Sequence, residues 1–555
     1  MIRYTVTVEP HSSLYVGGYA HALGDSDGDT ATDADGMLIP GSAVKGALRE
    51  SAVRLVNAAG HGHDLLHRLF GAAEEEGALR VGPLRAVLGE DSAGFGELPE
   101  PCVRHHVSLE RATRQAASGR LFQNRVTAAG YDLRFRGELT ATHTLTSDEE
   151  GLLDAAVQIT DQIGGGRGRG LGLVKLRIES QTHAEEAAAP PELPPETSAI
   201  TLVLSVEEPL QLGLVKDLSN VAASKDYLDG SAVRGAVAAA LERIGLADKH
   251  EPLLGRDDPA HFGNGYPGHV AAITAPMTLR EPKKGGRPVD DALRLCADVA
   301  GGRKFSRVRD RRAAKGSFAP ACTGWAKVRV KRRMVTRTAR NLVDGRAADG
   351  MLFSLEVVEP TLEPSPCASD ARLRFYVPVS GRREQLAWVV EAAAAGLVVG
   401  STRTRGFGRL RLCEVRTDPP FEPLPQRHER WAERLRSLGV ERPERTGVLL
   451  ALGPLAVDPA RLLWILRDHG LELRHGVSRR GAHGGWNARA RLPRGVASHY
   501  LPGSTFIVES ADGASALPAL TAIENLGIGP GRPDGWGRMI ACHPIHIDCC
   551  EEDRA

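Results

Sequence analysis

The sequence predicts an α+β protein made of tandem ferredoxin-like, or RRM-like, units with insertions. Strand-like and helix-like segments mix without the regular alternation of a doubly wound sheet, two motifs recur along the chain, and each stretch opens with a strand-like segment. The chain has 555 residues, of which 42% are hydrophobic and 25% are charged. This composition is typical of a folded protein with several domains and excludes global disorder.

Charge and cysteine content narrow the class of protein. The 70 basic and 69 acidic residues give a net charge of +1, which by itself predicts no polyanionic partner. The eight cysteines form no CxxC pair, so we expect reduced thiols in a cytoplasmic protein rather than a zinc ribbon or a disulfide scaffold. No apolar run approaches the ~18 residues that span a bilayer, and the N-terminus resembles a strand rather than a signal peptide. We expect no membrane partner.

A hexapeptide motif opens two helix-like stretches. Residues 41–46 are GSAVKG and residues 230–235 are GSAVRG. Ser42 and Ser231 are suited to cap these helices, and the free N–H groups of a helix N-terminus bind anions. Lys45 and Arg234 would add a positive charge beside each anion. The motif therefore predicts two phosphate-binding helix starts.

A glycine-rich segment with arginines precedes a strand-like segment three times, at residues 164–172, 400–408 and 527–538. Glycine permits a close approach of the backbone to a ligand, and arginine pairs with phosphate oxygens. A dinucleotide site is not expected, because a strand and not a helix follows each segment. The candidate phosphate-binding residues are Arg167, Arg169, Arg403, Arg405, Arg532 and Arg538.

Linker-like composition divides the chain into modules. Residues 184–198 are rich in Pro and Glu, which is typical of a semi-rigid spacer. A weaker boundary lies at residues 417–428. The sequence thus predicts modules over residues 1–183 and 199–416, the latter with a basic insertion, and a third, smaller module over residues 429–555.

The insertion contains a basic tract over residues 303–340, where Phe305, Phe318 and Trp325 are interleaved with Lys and Arg. Aromatic side chains in such a cluster can stack on bases, so the tract predicts nucleic-acid binding. Residues 335–353, which begin in the tract, share with residues 107–122 a basic segment, a spacer and a G-x-L-F sequence. Arg111 and Arg337 belong to the basic segments of these two copies.

An acidic segment over residues 25–36 precedes the first GSAVKG motif. It begins like an EF-hand loop, but Thr30 and Gly36 stand where that loop needs Gly and Glu. It is either a flexible loop or, beside an RNA groove, a set of carboxylates that binds Mg²⁺ and positions a 2′-hydroxyl. The C-terminal cysteines and histidines match no standard zinc spacing, although on a strand Cys542, His546 and Cys550 would share a face.

Together these motifs resemble the RAMP superfamily of CRISPR proteins. The resemblance rests on the acidic loop, on IPGSAVKGALR at residues 39–49, on LFG at residues 69–71 and on the final GGGRGRGLG. Residues 1–183 are similar to the backbone subunit of type III effector complexes. Residues 199–555 resemble a Csx-type RAMP subunit of subtype III-D, so the chain resembles a natural fusion of RAMP modules.

The resemblance implies a ferredoxin-like fold, crRNA binding and metal-dependent cleavage of paired target RNA. In the family the catalytic aspartate precedes a second acidic position by six residues, a spacing that Asp27 and Asp33 reproduce. Asp27 is then the first candidate for catalysis and for binding Mg²⁺, followed by Asp25 and Asp29, and Asp217 is a weak candidate in the second module. Positions near crRNA are matched by Lys45, Arg49, Arg111, Arg167 and Arg169. The implied partners are crRNA, target RNA and other type III subunits, including the large polymerase/nuclease subunit.

Two alternative functions stay open. The chain can be a non-catalytic RNA-binding scaffold whose neighbours cut the target. It can also be a repeat-cleaving RAMP endoribonuclease that processes crRNA. Enzymes of that branch end in a glycine-rich loop and commonly use a histidine, for which His11, His105 and His106 are candidates. A calcium-binding adhesion protein is disfavoured because no secretion signal is found.

Overall fold

The computed structural model describes most of the chain, namely residues 3–18, 29–33, 36–60, 63–72, 76–89, 98–127, 132–181, 191–213, 221–303, 311–322, 324–340, 347–363, 372–487 and 492–550. Within these residues, three sheets have four or more strands, and all strand pairs in them are antiparallel. They lie in the first, second and third predicted modules. The mixed helix and sheet content agrees with the predicted α+β class.

The first unit forms a sheet around two central strands. Its elements are β1 (Arg3–Pro10), β2 (Gly17–Gly18), β3 (Asp29–Thr30), β4 (Thr32–Asp33), β5 (Gly36–Ile39), α1 (Gly41–Ala59), α2 (Asp64–Phe70), β6 (Leu79–Val81), β7 (Leu84–Leu88), β8 (Cys102–Leu109), β9 (Ala116–Val126), β10 (Leu133–Ala141), α3 (Ser147–Ile159) and β11 (Val174–Gln181). The strand order is β11-β1-β10-β7-β5-β4, and β6 also pairs with β10. The alternation of buried and more exposed side chains explains strand β1, in which Val6 and Val8 are buried and their neighbours are only partly buried. Helix α3 begins with a capping box between Thr146 and Glu149.

The second unit has a sheet of the same kind and a large insertion. Its elements are β12 (Ala199–Val206), β13 (Val221–Ala222), α4 (Gly230–Arg243), α5 (His250–Leu254), β14 (His261–Phe262), β15 (Tyr266–Pro267), β16 (Ile273–Thr274), β17 (Leu279–Pro282), β18 (Val289–Asp290), α6 (Ala292–Ala300), β19 (Arg311–Ala313), β20 (Ser317–Ala321), β21 (Gly324–Val328), β22 (Val330–Arg340), β23 (Ala347–Leu362), β24 (Arg374–Ser380), α7 (Arg383–Ala394), β25 (Leu397–Val398) and β26 (Arg409–Arg416). The sheet order is β14-β24-β12-β26-β25.

The third unit is the smallest. Its elements are α8 (Leu424–Ser437), β27 (Thr446–Ala451), α9 (Pro459–Asp468), β28 (Leu471–Val477), β29 (Arg480–Asn487), β30 (Leu492–Tyr500), β31 (Thr505–Ser510), α10 (Leu517–Leu526), β32 (Met539–Ala541) and α11 (Pro544–Asp548). The sheet order is β28-β31-β27-β32. Helix α8 begins at Leu424, inside the stretch expected to be a weak linker.

The three sheets share one connectivity. Counting the four main strands of each sheet along the chain, the spatial order is fourth, first, third, second. A helix follows the first strand (α1, α4 and α9) and another follows the third strand (α3, α7 and α10). Between the second and third strands each unit carries a long β-hairpin, formed by β8 and β9, by β22 and β23, and by β29 and β30. The G-x-L-F repeat therefore marks two corresponding hairpins.

Each sheet packs with its helices in one hydrophobic cluster. These clusters are built mainly from Val, Leu, Ala and Ile, as the low aromatic content requires. The third cluster also takes in Leu293, Leu295 and Cys296 of α6, so the insertion of the second unit packs against the third unit. No helix in the described part of the chain is long and apolar enough to cross a membrane.

Three expectations from the sequence are wrong. Helices α1 and α4 begin at the glycine before each serine, with Pro40 and Asp229 as N-caps, so Ser42 and Ser231 do not cap them. Phe318 and Trp325 are buried core residues and are not available to stack on bases, and Phe305 lies outside the described residues. The last strand ends at Ala541, because the chain turns into a short helix before His546.

We predict opposite effects for the two glycines of the first GSAVKG motif. A Cβ atom at Gly41 would overlap the carbonyl oxygen of Val81, whereas a Cβ atom at Gly46 meets nothing within 4 Å. Gly41→Ala should therefore destabilise the fold by about 1–3 kcal/mol through overpacking. Gly46→Ala should stabilise it by up to ~1 kcal/mol through helix propensity. Differential scanning calorimetry of both variants measures the shifts in Tm.

The second motif supplies an independent check of the same contrast. Gly230 faces the carbonyl oxygen of Phe262, while Gly235 has open space around it. Equal Tm shifts for Gly41→Ala and Gly46→Ala, or for Gly230→Ala and Gly235→Ala, would contradict the close backbone approach described here.

Candidate nucleic-acid interface

The glycine-rich turn of the second unit lies on the helix start of the first. This turn is a short 3-10 helix over Arg403–Arg405, and it contacts both α1 and β6. A Cβ atom at Gly406 would lie 3.1 Å from the carbonyl oxygen of Val81 and 3.3 Å from the backbone nitrogen of Gly41. The two predicted motifs therefore meet each other, one from each unit.

This contact gathers three predicted phosphate-binding residues, Lys45, Arg49 and Arg405, which we call the cationic cluster. Lys45 is buried, and its Nζ donates a hydrogen bond to the carbonyl oxygen of Leu79 at 2.7 Å. Burial, with the positive charges of Arg405 and Arg49, lowers the pKa of Lys45 to about 7. Burial and Arg405 likewise lower the pKa of Arg49. Like charges held this close favour a bound anion.

Ion pairs across the same junction hold the first two units together. Arg409 pairs with Glu138 at 2.7 Å, and Arg80 pairs with Glu208, whose side chain is buried. Burial raises the pKa of Glu208. If the two units moved apart, Arg80 and Glu208 would each be left as an unpaired charge in a buried site, which is energetically costly. The pair therefore fixes the position of the first unit against the second.

A third ion pair crosses this junction at its edge. Arg403 of the turn pairs with Glu76 of the first unit at 3.0 Å. Both side chains are partly exposed, so the pair contributes little to stability. The pair nevertheless binds the guanidinium of Arg403 to a protein carboxylate, whereas the side chain of Arg405 is exposed.

The second junction repeats the geometry with a different charge balance. The turn Arg532–Asp534 lies on the start of α4 and beside β14. Arg234 pairs with Asp534 at 2.9 Å and also donates a hydrogen bond to the carbonyl oxygen of Leu254. An acid thus stands here where the first junction has Arg405. Arg234 is engaged within the protein, and the charges at this junction are balanced.

The remaining residues of the third glycine-rich segment lie near the second junction. Arg532 is close enough to His261 to contribute, after burial, to a lowered pKa of that imidazole. Arg538 is exposed and passes beside Gly263. Neither residue joins the cationic cluster.

The first glycine-rich turn contacts a hairpin of its own unit. Arg167 pairs with Glu50 at 2.9 Å. The guanidinium of the exposed Arg169 lies 4.8 Å from the ring centroid of Phe122 on β9, and the ring of His106 stacks on the same phenylalanine at 5.1 Å. The turn, the hairpin and a candidate histidine therefore share one surface.

The hairpin of β8 and β9 exposes apolar side chains, with Leu109 and Leu121 60% and 65% exposed. Arg111 is exposed in the turn between its strands. In the second hairpin, Arg337 stands on β22 opposite Phe353 of β23. Exposed apolar and basic groups on one projecting element can contact both the bases and the phosphates of a nucleic acid.

The acidic loop can be located only by its base. Asp25 and Asp27 lie outside the described residues, as does Asp217 of the second unit. The backbone of Asp29 pairs with Gly18, and the Thr30 hydroxyl donates to the carbonyl oxygen of Arg125 on β9 at 2.8 Å. Strand β4 packs near β23 of the second unit. The described residues that follow the loop therefore lie near the hairpin of β8 and β9 and near β23.

Some of the residues that the sequence singled out lie near one another. The structure brings Lys45, Arg49 and Arg405 together, and it places Arg169 against the hairpin that carries Arg111. Sequence reasoning missed Arg80 and Glu208, because their pairing follows no local pattern. Among the described residues, no group of three His, Cys, Asp or Glu side chains is placed to hold a metal ion.

The first unit matches a known family. Residues 7–175 match the family model described as RAMPs, the RAMP superfamily. The matched residues lie within residues 1–183, whose sequence motifs resemble the same superfamily. No protein of curated function matches the chain.

Two solved structures of the type III-B Cmr-beta complex are similar to part of the chain. The match to the apo-state structure covers 32% of this chain and 96% of that chain, with 11% identity and a TM-score of 0.24. The match to the structure bound to cognate target RNA covers 32% and 97%, with 12% identity and the same TM-score.

We predict that the charge of Lys45 makes stability depend on pH. In the unfolded chain its pKa returns to about 10.4, so between pH 7 and pH 10 the unfolded chain holds a proton that the folded chain lacks. The free energy of unfolding therefore rises with pH in this window, by up to about 1.4 kcal/mol per pH unit. Lys45→Met removes this rise. The Tm of the wild type should therefore increase relative to that of the variant between pH 7 and pH 9.5.

The exposed Lys175 provides the control. The difference in Tm between Lys175→Met and the wild type should be the same at every pH. A gap between the wild type and Lys45→Met that stays constant with pH would show that Lys45 keeps its proton in the folded protein.

Proposed function

We propose that this protein is a crRNA-binding subunit of a type III CRISPR effector complex, of subtype III-D, formed by fusion of tandem ferredoxin-like RAMP modules. The match of residues 7–175 to the RAMP superfamily supports the first module. The recurring strand order, with a helix after the first and third strands, supports the same module twice more. Other type III subunits, including the large polymerase/nuclease subunit, are the proposed protein partners.

The cationic cluster is the observation that carries RNA binding. Lys45, Arg49 and Arg405 come from two units and lie together although their charges lower one another's pKa values. A phosphate placed among them would offset that repulsion and accept charge-assisted hydrogen bonds. The hairpin carrying Arg111, with Arg169 beside it, would continue the contact along the RNA.

The proposed path of the RNA runs past several units. All three units carry a long hairpin at the same place in the connectivity, and we propose that these hairpins contact successive nucleotides. Arg337 on the second hairpin is proposed to contact RNA as Arg111 does. Arg403 is a proposed RNA contact of lower weight, because it already pairs with Glu76 of the first unit. The other proposed contacts of lower weight are Ser42, Ser231, Arg532 and Arg538.

We further propose that the first module cleaves the crRNA-paired target. The 2′-hydroxyl of a target nucleotide gives up its proton to solvent as its oxygen attacks the adjacent phosphorus, the bond to the 5′-oxygen breaks to leave a 2′,3′-cyclic phosphate, and the 5′-oxygen takes a proton from solvent. Asp27 would orient the 2′-hydroxyl, with Asp25 and Asp29 as the next candidates, and arginines would stabilise the charge on the phosphate. Asp27 would also hold a divalent ion such as Mg²⁺, which supplies positive charge to the reacting phosphate.

We predict that loss of the cationic cluster weakens RNA binding in a salt-dependent way. Each phosphate contact adds about 0.7 to the slope of log K against log salt for single-stranded RNA. Arg49→Gln with Arg405→Gln should lower that slope by about 1.4 and reduce affinity for the co-purified RNA at least tenfold at about 50–100 mM salt. Arg416→Gln is the control, because Arg416 pairs with Glu414 away from the cluster. An unchanged slope would exclude the cluster from the RNA interface.

We predict that Asp27→Ala abolishes cleavage of complementary RNA by the reconstituted complex while RNA affinity persists. Asp148→Ala, at an exposed position in the first turn of α3, should leave cleavage at the level of the wild type. Denaturing gel electrophoresis of an end-labelled target measures both. Full cleavage by Asp27→Ala, Asp25→Ala and Asp29→Ala would assign the chemistry to other subunits and leave this chain as a scaffold.

The alternative function, cleavage of repeat RNA to process crRNA, predicts a different result. His106 stacks on Phe122 beside Arg169, so a repeat-cleaving endoribonuclease would use this surface. Metal-free cleavage of repeat RNA by the purified protein, lost in His106→Ala, would favour that alternative over target cleavage.

A further inference from the structure

Both junctions between units use one backbone shape. Each glycine-rich turn is a three-residue 3-10 helix between two residues in the left-handed region, Thr402 and Gly406 in one turn and Gly531 and Gly535 in the other. Their φ angles lie between 57° and 86°. Gly406 and Gly535 are buried, because Gly406 lies against Gly41 and Val81 and Gly535 lies against Phe262 and Asn264 of the preceding unit.

The first glycine-rich turn has the same shape, but within the described residues it lies on no helix start of another unit. It is a 3-10 helix over Arg167–Arg169 between Gly166 and Gly170, with φ angles of 72° and 77°. Gly168 and Gly170 are exposed, and a Cβ atom at either would meet nothing within 4 Å. In contrast, a Cβ atom at Gly535 would lie 2.8 Å from the carbonyl oxygen of Phe262.

No equivalent helix start is left in the part of the chain that the structure describes. The starts at Gly41 and Gly230 already receive the turns of the second and third units. Helix α9 of the third unit begins differently, with Asp458 as its N-cap and Pro459 as its first residue. The sequence holds the GSAV[K/R]G motif only at these two starts, so a second copy of this protein brings no free one to the exposed turn.

We propose that the turn around Arg167–Arg169 docks on a GSAV[K/R]G-type helix start of a different polypeptide, and that this contact joins the protein to its neighbour in the complex. The neighbour's identity as another RAMP-type subunit rests on the proposed function. We expect its helix to begin with glycine, because at the second junction a Cβ atom at Gly230 would lie 2.8 Å from the carbonyl oxygen of Asp534 in the docked turn.

The test uses full-length proteins and two matched glycine variants. Purified proteins that are encoded beside this chain and contain GSAV[K/R]G are mixed with it, and the Kd is measured by sedimentation velocity. Gly170→Val should weaken binding at least tenfold, since it adds a side chain to the docking surface. Gly60→Val is the control, because Gly60 is an exposed helix end with φ of 65° and open space around it.

A photo-crosslink tests the contact without altering a glycine. Benzoylphenylalanine in place of Arg169 should crosslink to the first turn of the partner's GSAV[K/R]G helix, as read by mass spectrometry. Equal binding by Gly170→Val and Gly60→Val, crosslinks elsewhere on the partner, or self-association that Gly170→Val removes would each overturn the inference. Wild-type protein that binds RNA but none of these partners refutes the docking alone, whereas protein that binds no RNA refutes the proposed function.

Discussion

The contact between a glycine-rich turn and the helix start of the preceding unit, at Gly41 and again at Gly230, is the constraint on which the arrangement of the units depends. At each place a helix starts against a carbonyl oxygen where no Cβ atom fits, and the glycine-rich turn of the following unit lies on that start. The constraint has two consequences. It fixes the order and direction of successive units, and it sets the arginines of each turn beside the basic residue of the helix below.

The first junction keeps charges that do not favour its stability. Lys45 is buried among arginines, and the Arg80–Glu208 pair is held away from water. Buried charges cost desolvation energy that hydrophobic side chains of equal volume would avoid. A binding site accounts for the excess of positive charge better than packing does, because natural proteins give up local stability mainly at functional sites. The second junction, where Asp534 balances Arg234, shows that the same docking works without that excess.

Much of the fold was predictable because its signals are local. The alternation around Val6 and Val8 predicts β1, and the repeated G-x-L-F sequences mark corresponding hairpins. The serines of GSAV[K/R]G were misjudged because Pro40 and Asp229 precede a glycine that already has helical geometry. Phe318 and Trp325 were misjudged because a basic sequence does not reveal which face of a strand is buried. The junctions could not be foreseen, since they join residues far apart in the chain that follow no periodic pattern.

The central claim is that RNA runs along the hairpins and the first junction of a chain whose units are joined turn to helix. Ultraviolet crosslinking of the co-purified RNA, followed by mass spectrometry of the attached peptides, tests it most directly. The account predicts adducts in the hairpins of β8–β9, β22–β23 and β29–β30 and in the turn that carries Arg405. Adducts confined to the outer faces of α3, α7 and α10, or the absence of any bound RNA, would contradict it.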